Sequence, residues 1–457
     1  MTHFDLILRN GRVVDPANKI DATMDIGVSN GKVAAVEPSL DPQQANMVLD
    51  LSGRVVIPGI IDPHVHIGTV GYRNMARVGV VTAVDVAAPM EQILATMKTY
   101  GTGMNIAAVT SIHHGIRKPD PSRAEIGKML DDYLSSGSLG VKIIQEPLPH
   151  ETIINTILEA NRKKVYVKLD CGVTEEGSNI LGFRWIVKAV GRDLHLDIAH
   201  INSYCRGQVK DAMEEAIEAT RLLEGRRNIQ SESYLGIING TSGKIVNGIP
   251  VNGCTRECLR IGGYPETEEG LRKALLEGYA RVNKVVGGET IQLQGVDALR
   301  EWEDGQKQVS FPVNKPYVTT FLATRKDSAG KFVVDAISTD GGSSPRNVTV
   351  SSGLALVRLG ALSLDEFVLK TSYAPARMYG MLSKGNLGVG ADADITVLDM
   401  ERGRAVMGIA LGKPIMVDGV VVGTGGTVIT TEKGAMTVAG AGLPYQTIEI
   451  ENCGLYA

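Results

Sequence analysis

Apolar positions fall into two regimes along the chain, and the boundary between them orders the rest. Between residues 58 and 371, short continuous apolar runs alternate with stretches whose apolar residues recur at helical spacing. Continuous runs suit strands buried on both faces, and their alternation with amphipathic helices predicts parallel βαβ units. The first run, residues 55–61, leads into Asp62-Pro63-His64-Val65-His66. Seven more strands are predicted at 80–86, 105–112, 139–144, 165–170, 194–200, 228–233 and 333–338. Residues 122–134 show the clearest helix start, with Ser122 followed three positions later by Glu125 in a capping-box spacing, and a second helix is predicted at 209–223. Eight strands with helical crossovers is the count of an α/β fold of the (β/α)8, or TIM-barrel, kind. In such barrels the chemistry gathers at the C-terminal strand ends.

The two chain ends follow the other regime. Residues 4–57 alternate short strand patterns with turn signals at Asn10-Gly11 and Asn30-Gly31, and strand candidates return at 393–398, 414–417, 420–422 and 426–431. Neither end can bury a core alone, so the expectation is one small composite β-sandwich built from both. The domains are then 1–57 and 372–457 for that unit and 58–371 for the barrel. Residues 234–332 are too many for an ordinary loop, and the Gly- and Asn-rich stretch 236–253 is expected to form a hairpin or lid over the mouth.

Composition narrows the classes. A hydrophobic content of 43% is that of a well-packed globular protein, and 47 basic against 51 acidic residues, without a basic run, argue against nucleic acid or an anionic membrane as partner. The N-terminus has no signal-peptide pattern, and no apolar run reaches the roughly 20 residues of a membrane span. Five cysteines at irregular spacing make no disulfide framework. A soluble cytoplasmic protein, a homo-oligomer acting on a small-molecule substrate, is expected.

His64 and His66 carry the first chemistry. Alternate residues of a strand share a face, so His-x-His sets two imidazoles about 6–7 Å apart. Imidazole is the commonest metal-binding side chain, and two of them at the end of a buried strand suit one divalent ion. The whole stretch, a buried run, Pro58-Gly59, Asp62 and His64-x-His66, resembles the amidohydrolase superfamily of metal-dependent hydrolases. Lys384-Gly385-Asn386-Leu387-Gly388 through Asp392-Ala393-Asp394 is similar to that family's return into its small domain. Residues 71–79 and 199–204 resemble, more narrowly and patchily between about residues 54 and 398, the A subunit of formylmethanofuran dehydrogenase and its formyl-hydrolysing relatives. Those subunits are longer, so a shared branch is expected rather than a shared substrate.

The resemblance implies a set of roles. Lys142, at the end of the fourth strand, takes up carbon dioxide, and its carbamate bridges two metal ions. His200, ending the sixth strand, ligates the second ion. Asp340, after the eighth, is both ligand and general base. One or two divalent ions are implied, zinc first, with manganese or iron as alternatives. The implied reaction is hydrolysis of a C–N bond in an amide, formamide or cyclic amide by metal-activated hydroxide. One departure matters: the fifth strand, where the family carries a histidine, reads Val165-Tyr166-Val167-Lys168-Leu169-Asp170-Cys171. Lys168 and Asp170 share a face and either could stand in for it, with Cys171 a third option; Lys168 is expected near the mouth, paired with Asp170 or a substrate carboxylate. His113 and His114 are candidates for substrate binding or compensation, and Arg346 for gripping a substrate carboxylate. The missing histidine also motivates an alternative, a metal-poor barrel serving as scaffold or subunit of a formyl-transfer complex. Cys254-x3-Cys258 lacks the further ligands of a zinc site.

Overall fold

The computed structural model describes residues 3–144 and 148–457. Eight parallel strands form its middle: Ile60–His66, Val80–Asp85, Thr102–Ala108 continued by Thr110–Ser111, Gly140–Ile143, Tyr166–Leu169, Leu196–Ile198, Ile229–Tyr234 and Ala336–Ser338. Each pairs with the next in the same direction from the first to the third, from the continuation Thr110–Ser111 to the fourth, and on to the eighth. Gly341–Gly342, which continues the eighth, pairs with the first. These strands are largely buried on both faces, and their apolar side chains join two large cores. The helix Arg123–Ser136 begins as its sequence foretells: Ser122 and Glu125 cap each other reciprocally, and Gly137 ends the helix in the left-handed region.

Both chain ends enter one nine-stranded sheet. Its seam is the antiparallel pairing of Ile395–Asp399 with Val55–Pro58, the strand that runs straight into the first parallel strand. The Asn30-Gly31 turn forms, but Asn10-Gly11 does not reverse the chain. Phe4–Asp15 continues through it as a bulge, with Asn10 at φ 60° and Asn10 N donating to Asp25 Oδ1 at 2.9 Å. A Cβ on Gly11 would lie 2.6 Å from Val56, so close packing, rather than a turn, is what requires the glycine there.

The Lys384–Asp394 phrase has a physical task. Buried Lys384 donates to Asp392 Oδ2 at 2.9 Å and Asp394 Oδ2 at 2.7 Å, and Asn105 of the third strand also donates to Asp394. This ionic knot fastens the terminal sheet to the parallel strands. Past Val421 the chain leaves the terminal sheet: Gly425–Thr430 lies parallel to Thr102–Ala108, with Tyr445–Thr447 beyond it. The segment between the seventh and eighth strands is a folded unit rather than a loop. It holds the hairpin Ile245–Val246/Ile249–Pro250, helices Gly253–Ile261, Glu268–Leu276 and Gly295–Glu303, and a four-stranded sheet around a core containing Trp302 and Phe311. No helix of the described residues is long and apolar enough to cross a membrane.

Candidate metal centre

The ends of the first and eighth strands are locked together by a buried carboxylate. Asp62 accepts from His64 N at 3.1 Å, Thr339 N at 3.2 Å and Thr339 Oγ1 at 2.6 Å. Burial dominates these contacts and pushes the Asp62 carboxyl up to about 7. Asp340 N donates to His64 O at 2.9 Å. Gly342, at φ 83°, passes so close to the first strand that a Cβ would lie 2.5 Å from His66 O. Two non-glycine residues, Asp340 at φ 50° and His200 at φ 33°, are also left-handed. Such backbone costs about 1–3 kcal/mol and clusters where function over-determines geometry.

Three donors converge there. The Nε2 atoms of His64 and His66 lie 3.6 Å and 3.2 Å from Asp340 Oδ1, and the three ligand atoms fall within 4.8 Å of one another. His64 is wholly buried; its Nδ1 donates to Glu232 Oε1 at 2.5 Å, which fixes the tautomer and leaves Nε2 as the basic nitrogen. That Nε2 has no hydrogen-bond partner. Burial, with Lys142 nearby, holds the ring far below the usual histidine range and therefore neutral. A neutral, oriented imidazole with an orphaned nitrogen beside a second imidazole and a carboxylate fits a divalent cation.

A second pair of donors faces the first. His200 Nε2 lies 3.4 Å from Asp170 Oδ2, and the His200 ring sits 5.0 Å from that of His64. Burial alone would raise the Asp170 carboxyl, but His200 and Lys142 hold it well below the carboxylate range. Lys142 is fully buried and its Nζ has no partner; burial lowers its ammonium to about 8. Its register partner on the next strand is Lys168, equally buried but tied to Asp197 Oδ2 at 2.7 Å and Glu232 Oε1 at 3.3 Å. Burial opposes that charge, yet the two carboxylates raise Lys168 above its ordinary value, so it stays an ammonium. Lys168 thus lies neither at the mouth nor beside Asp170. Asp197 and Glu232, one on each of the next two strands, draw it inward.

The other candidates scatter. His113 Nε2 turns to the carbonyl of Ile144, and His114 is exposed beside Arg117 in a surface groove. Arg346, 4% exposed, gives Nη2 to Asp340 Oδ2 at 2.8 Å and lies 5.3 Å over the Tyr234 ring, while its Nε and Nη1 have no partner. Burial alone would raise the Asp340 carboxyl; Arg346 and the two histidines hold it well below the carboxylate range. Glu232 is the residue sequence reasoning missed. It holds His64 Nδ1, the His200 backbone N–H at 2.9 Å and the Ser338 hydroxyl. A glutamate inside the seventh strand, at the phase of Tyr234 near the strand's C-terminal end, was the available signal.

Sequence comparison places this arrangement among known proteins. The profile of the Amidohydrolase family matches residues 319–429, which include Asp340 and the ionic knot. A dihydroorotase from Anaeromyxobacter dehalogenans (strain 2CP-C) is 26% identical over 409 residues, 86% of this chain and 88% of that protein. Among solved structures, the N-acyl-D-glutamate deacylase from Bordetella bronchiseptica, complexed with zinc and a phosphonate inhibitor, superposes with a TM-score of 0.68 at 16% identity, over 93% of this chain and 99% of that one. The formyltransferase/hydrolase complex of Methylorubrum extorquens, bound to methylofuran, has a chain that superposes with a TM-score of 0.62 at 17% identity, over 93% of this chain and 91% of that one. The shortfall in length against that chain is small.

Proposed function

We propose that this protein is a metal-dependent hydrolase cleaving the C–N bond of a small amide, formamide or cyclic amide, at the C-terminal end of a (β/α)8 barrel. One observation carries the reading: three ligand atoms, from His64, His66 and Asp340, lie within 4.8 Å of one another, and one of them, His64 Nε2, is buried without a partner. A divalent ion, zinc in the first instance, would supply Lewis-acid chemistry, lowering the pKa of water and polarising the scissile carbonyl. His200 and Asp170 are assigned to a second ion, Asp170 standing where the family carries a histidine. Lys142, with its orphaned Nζ, is assigned as the carbamate: the neutral amine adds to carbon dioxide and loses one proton, becoming an anionic ligand.

The chain's own groups do the rest. Asp340 takes the proton of the attacking water at its carboxylate and returns it to the leaving nitrogen. Arg346 holds Asp340 in place through Nη2 and keeps Nε and Nη1 for a substrate oxygen. Glu232 orients His64 and His200 together, and Lys168 neutralises Glu232 and Asp197. Relatives named dihydroorotase and N-acyl-D-glutamate deacylase support hydrolysis without choosing a substrate. The test is a screen of N-formyl, N-acyl and cyclic amides with metal-loaded protein, against the Asp340→Asn variant. Turnover of at least one class, lost in the variant, supports the reading. No turnover of any, or equal turnover by both proteins, contradicts it.

A further inference from the structure

A second polar cluster lies outside the donor basin, where the inserted unit meets the sixth- and seventh-strand loops. Cys254 and Cys258 stand one turn apart on the helix Gly253–Ile261, with Cys254 in its first turn and its backbone N–H capped by Asn252 Oδ1 at 2.8 Å. Asn239 points Nδ2 at both sulfurs, 3.1 Å from Cys254 Sγ and 3.8 Å from Cys258 Sγ. Cys258 is buried and Cys254 only partly so.

Arg206 is what makes this pair unusual. It is 3% exposed, and its hydrogen bonds go to Asn314 Oδ1 at 2.9 Å, Ser203 Oγ at 3.1 Å and Tyr234 OH at 3.3 Å, all neutral groups. Among the described residues it has no carboxylate in ion-pair contact, and a buried guanidinium without a counter-ion is costly. The nearby acid, Glu257, is pushed up to about 8 by burial and by Cys254, so it is mostly protonated at neutral pH. Arg206 reaches the sulfur pair through the Tyr234 hydroxyl, which donates to Asn239 Oδ1 at 3.4 Å. The Cys254 sulfur has an amide donor in Asn239 and sits at a helix N-terminus, with the buried Arg206 guanidinium joined to it through Tyr234 and Asn239, surroundings that favour an ionised, reactive thiol. These contacts draw Cys254 below the usual thiol range.

We propose that Cys254 is a reactive thiolate and that Cys254 and Cys258 form a redox-modification site for hydroperoxides. The Cys254 sulfur attacks the terminal oxygen of the peroxide, the O–O bond breaks, and the alcohol or water departs with a proton. Cys258 then displaces the hydroxyl of the sulfenic acid as water, forming the S–S bond; two thiols and one peroxide give one disulfide, one alcohol and one water. Helical i, i+4 side chains start about 5–6 Å apart at Cβ, whereas a disulfide needs about 3.5–4.5 Å. The first turn must therefore shift, which its unpaired backbone N–H groups and Gly253 permit. The shift releases Asn239, whose Oδ1 accepts from Tyr234 OH at 3.4 Å, and the Tyr234 ring underlies Arg346. The modification itself is independent of the hydrolase reading.

The test uses the full-length protein. Iodoacetamide labelling of Cys254, followed by mass spectrometry across pH, should be half-maximal below the ordinary thiol value of about 8.5 and move upward in Arg206→Gln and in the milder Arg206→Lys. Hydrogen peroxide should yield a Cys254–Cys258 disulfide, and in Cys258→Ser a dimedone adduct at Cys254. A labelling profile centred near the ordinary thiol value of about 8.5, or no peroxide product at Cys254, would overturn the proposal.

Discussion

Lys142 and Lys168 are opposite each other on neighbouring strands, both fully buried, and their surroundings could hardly differ more. Lys168 is held by Asp197 and Glu232, much as Lys384 at the sheet junction is held by Asp392 and Asp394. Lys142 has nothing, and neither His64 Nε2 nor His200 Nδ1 nearby has a partner. Unsatisfied buried polar atoms are rare because each costs about 1–3 kcal/mol or more. A satisfied charge knot marks architecture. A cluster of orphans, on strained backbone at strand ends, marks a place kept for something else.

The comparison can be broken most severely at Asp340. Asp340→Asn should lower turnover by about 10²–10⁴-fold with little change in thermal midpoint, as seen by pairing an amide-hydrolysis assay with calorimetry. Retention of more than about a tenth of the rate would remove Asp340 as base. Next in size is the architectural knot. Lys384→Met leaves buried Asp394 without its counter-ion and Asp392 with Lys32 alone, and should cost about 3–5 kcal/mol in denaturant unfolding, while activity per folded molecule persists. Lys142→Met, in contrast, removes an unpaired buried group. Its unfolding free energy should hold or rise while metal content and activity fall, and a loss as large as that of Lys384→Met would erase the distinction between the two regions.

The smallest effect is a pH dependence of the knot. Burial alone would raise the Asp392 carboxyl, but Lys384 and Lys32 hold it below its usual range. A carboxyl lowered in the folded state stabilises above its unfolded pKa, about 3.9, and that contribution disappears as pH falls through the folded value. Acid unfolding should therefore begin below about pH 4 in the wild type, and Asp392→Asn should flatten that limb.

Much of this was legible beforehand. The parallel strands, the capping box at Ser122 and the His64-x-His66 face follow from period and spacing, which are local properties. Lys168 was misplaced because its position depends on two carboxylates, Asp197 and Glu232, distant in sequence. Asn10-Gly11 carried a turn signal that the packing of Val56 overrode. The missing fifth-strand histidine was visible, but only the structure puts Asp170, and not Lys168, 3.4 Å from His200, which is what favours Asp170 in the proposed assignment.

Metal analysis of the purified wild type and of His64→Ala/His66→Ala tests the central claim most directly. The account predicts about one to two equivalents of zinc, manganese or iron in the wild type and loss of the first ion in the variant, with the fold retained by circular dichroism. A metal-free wild type that cannot be loaded, or a variant with the full complement, would contradict it and return the chain to the role of a scaffold.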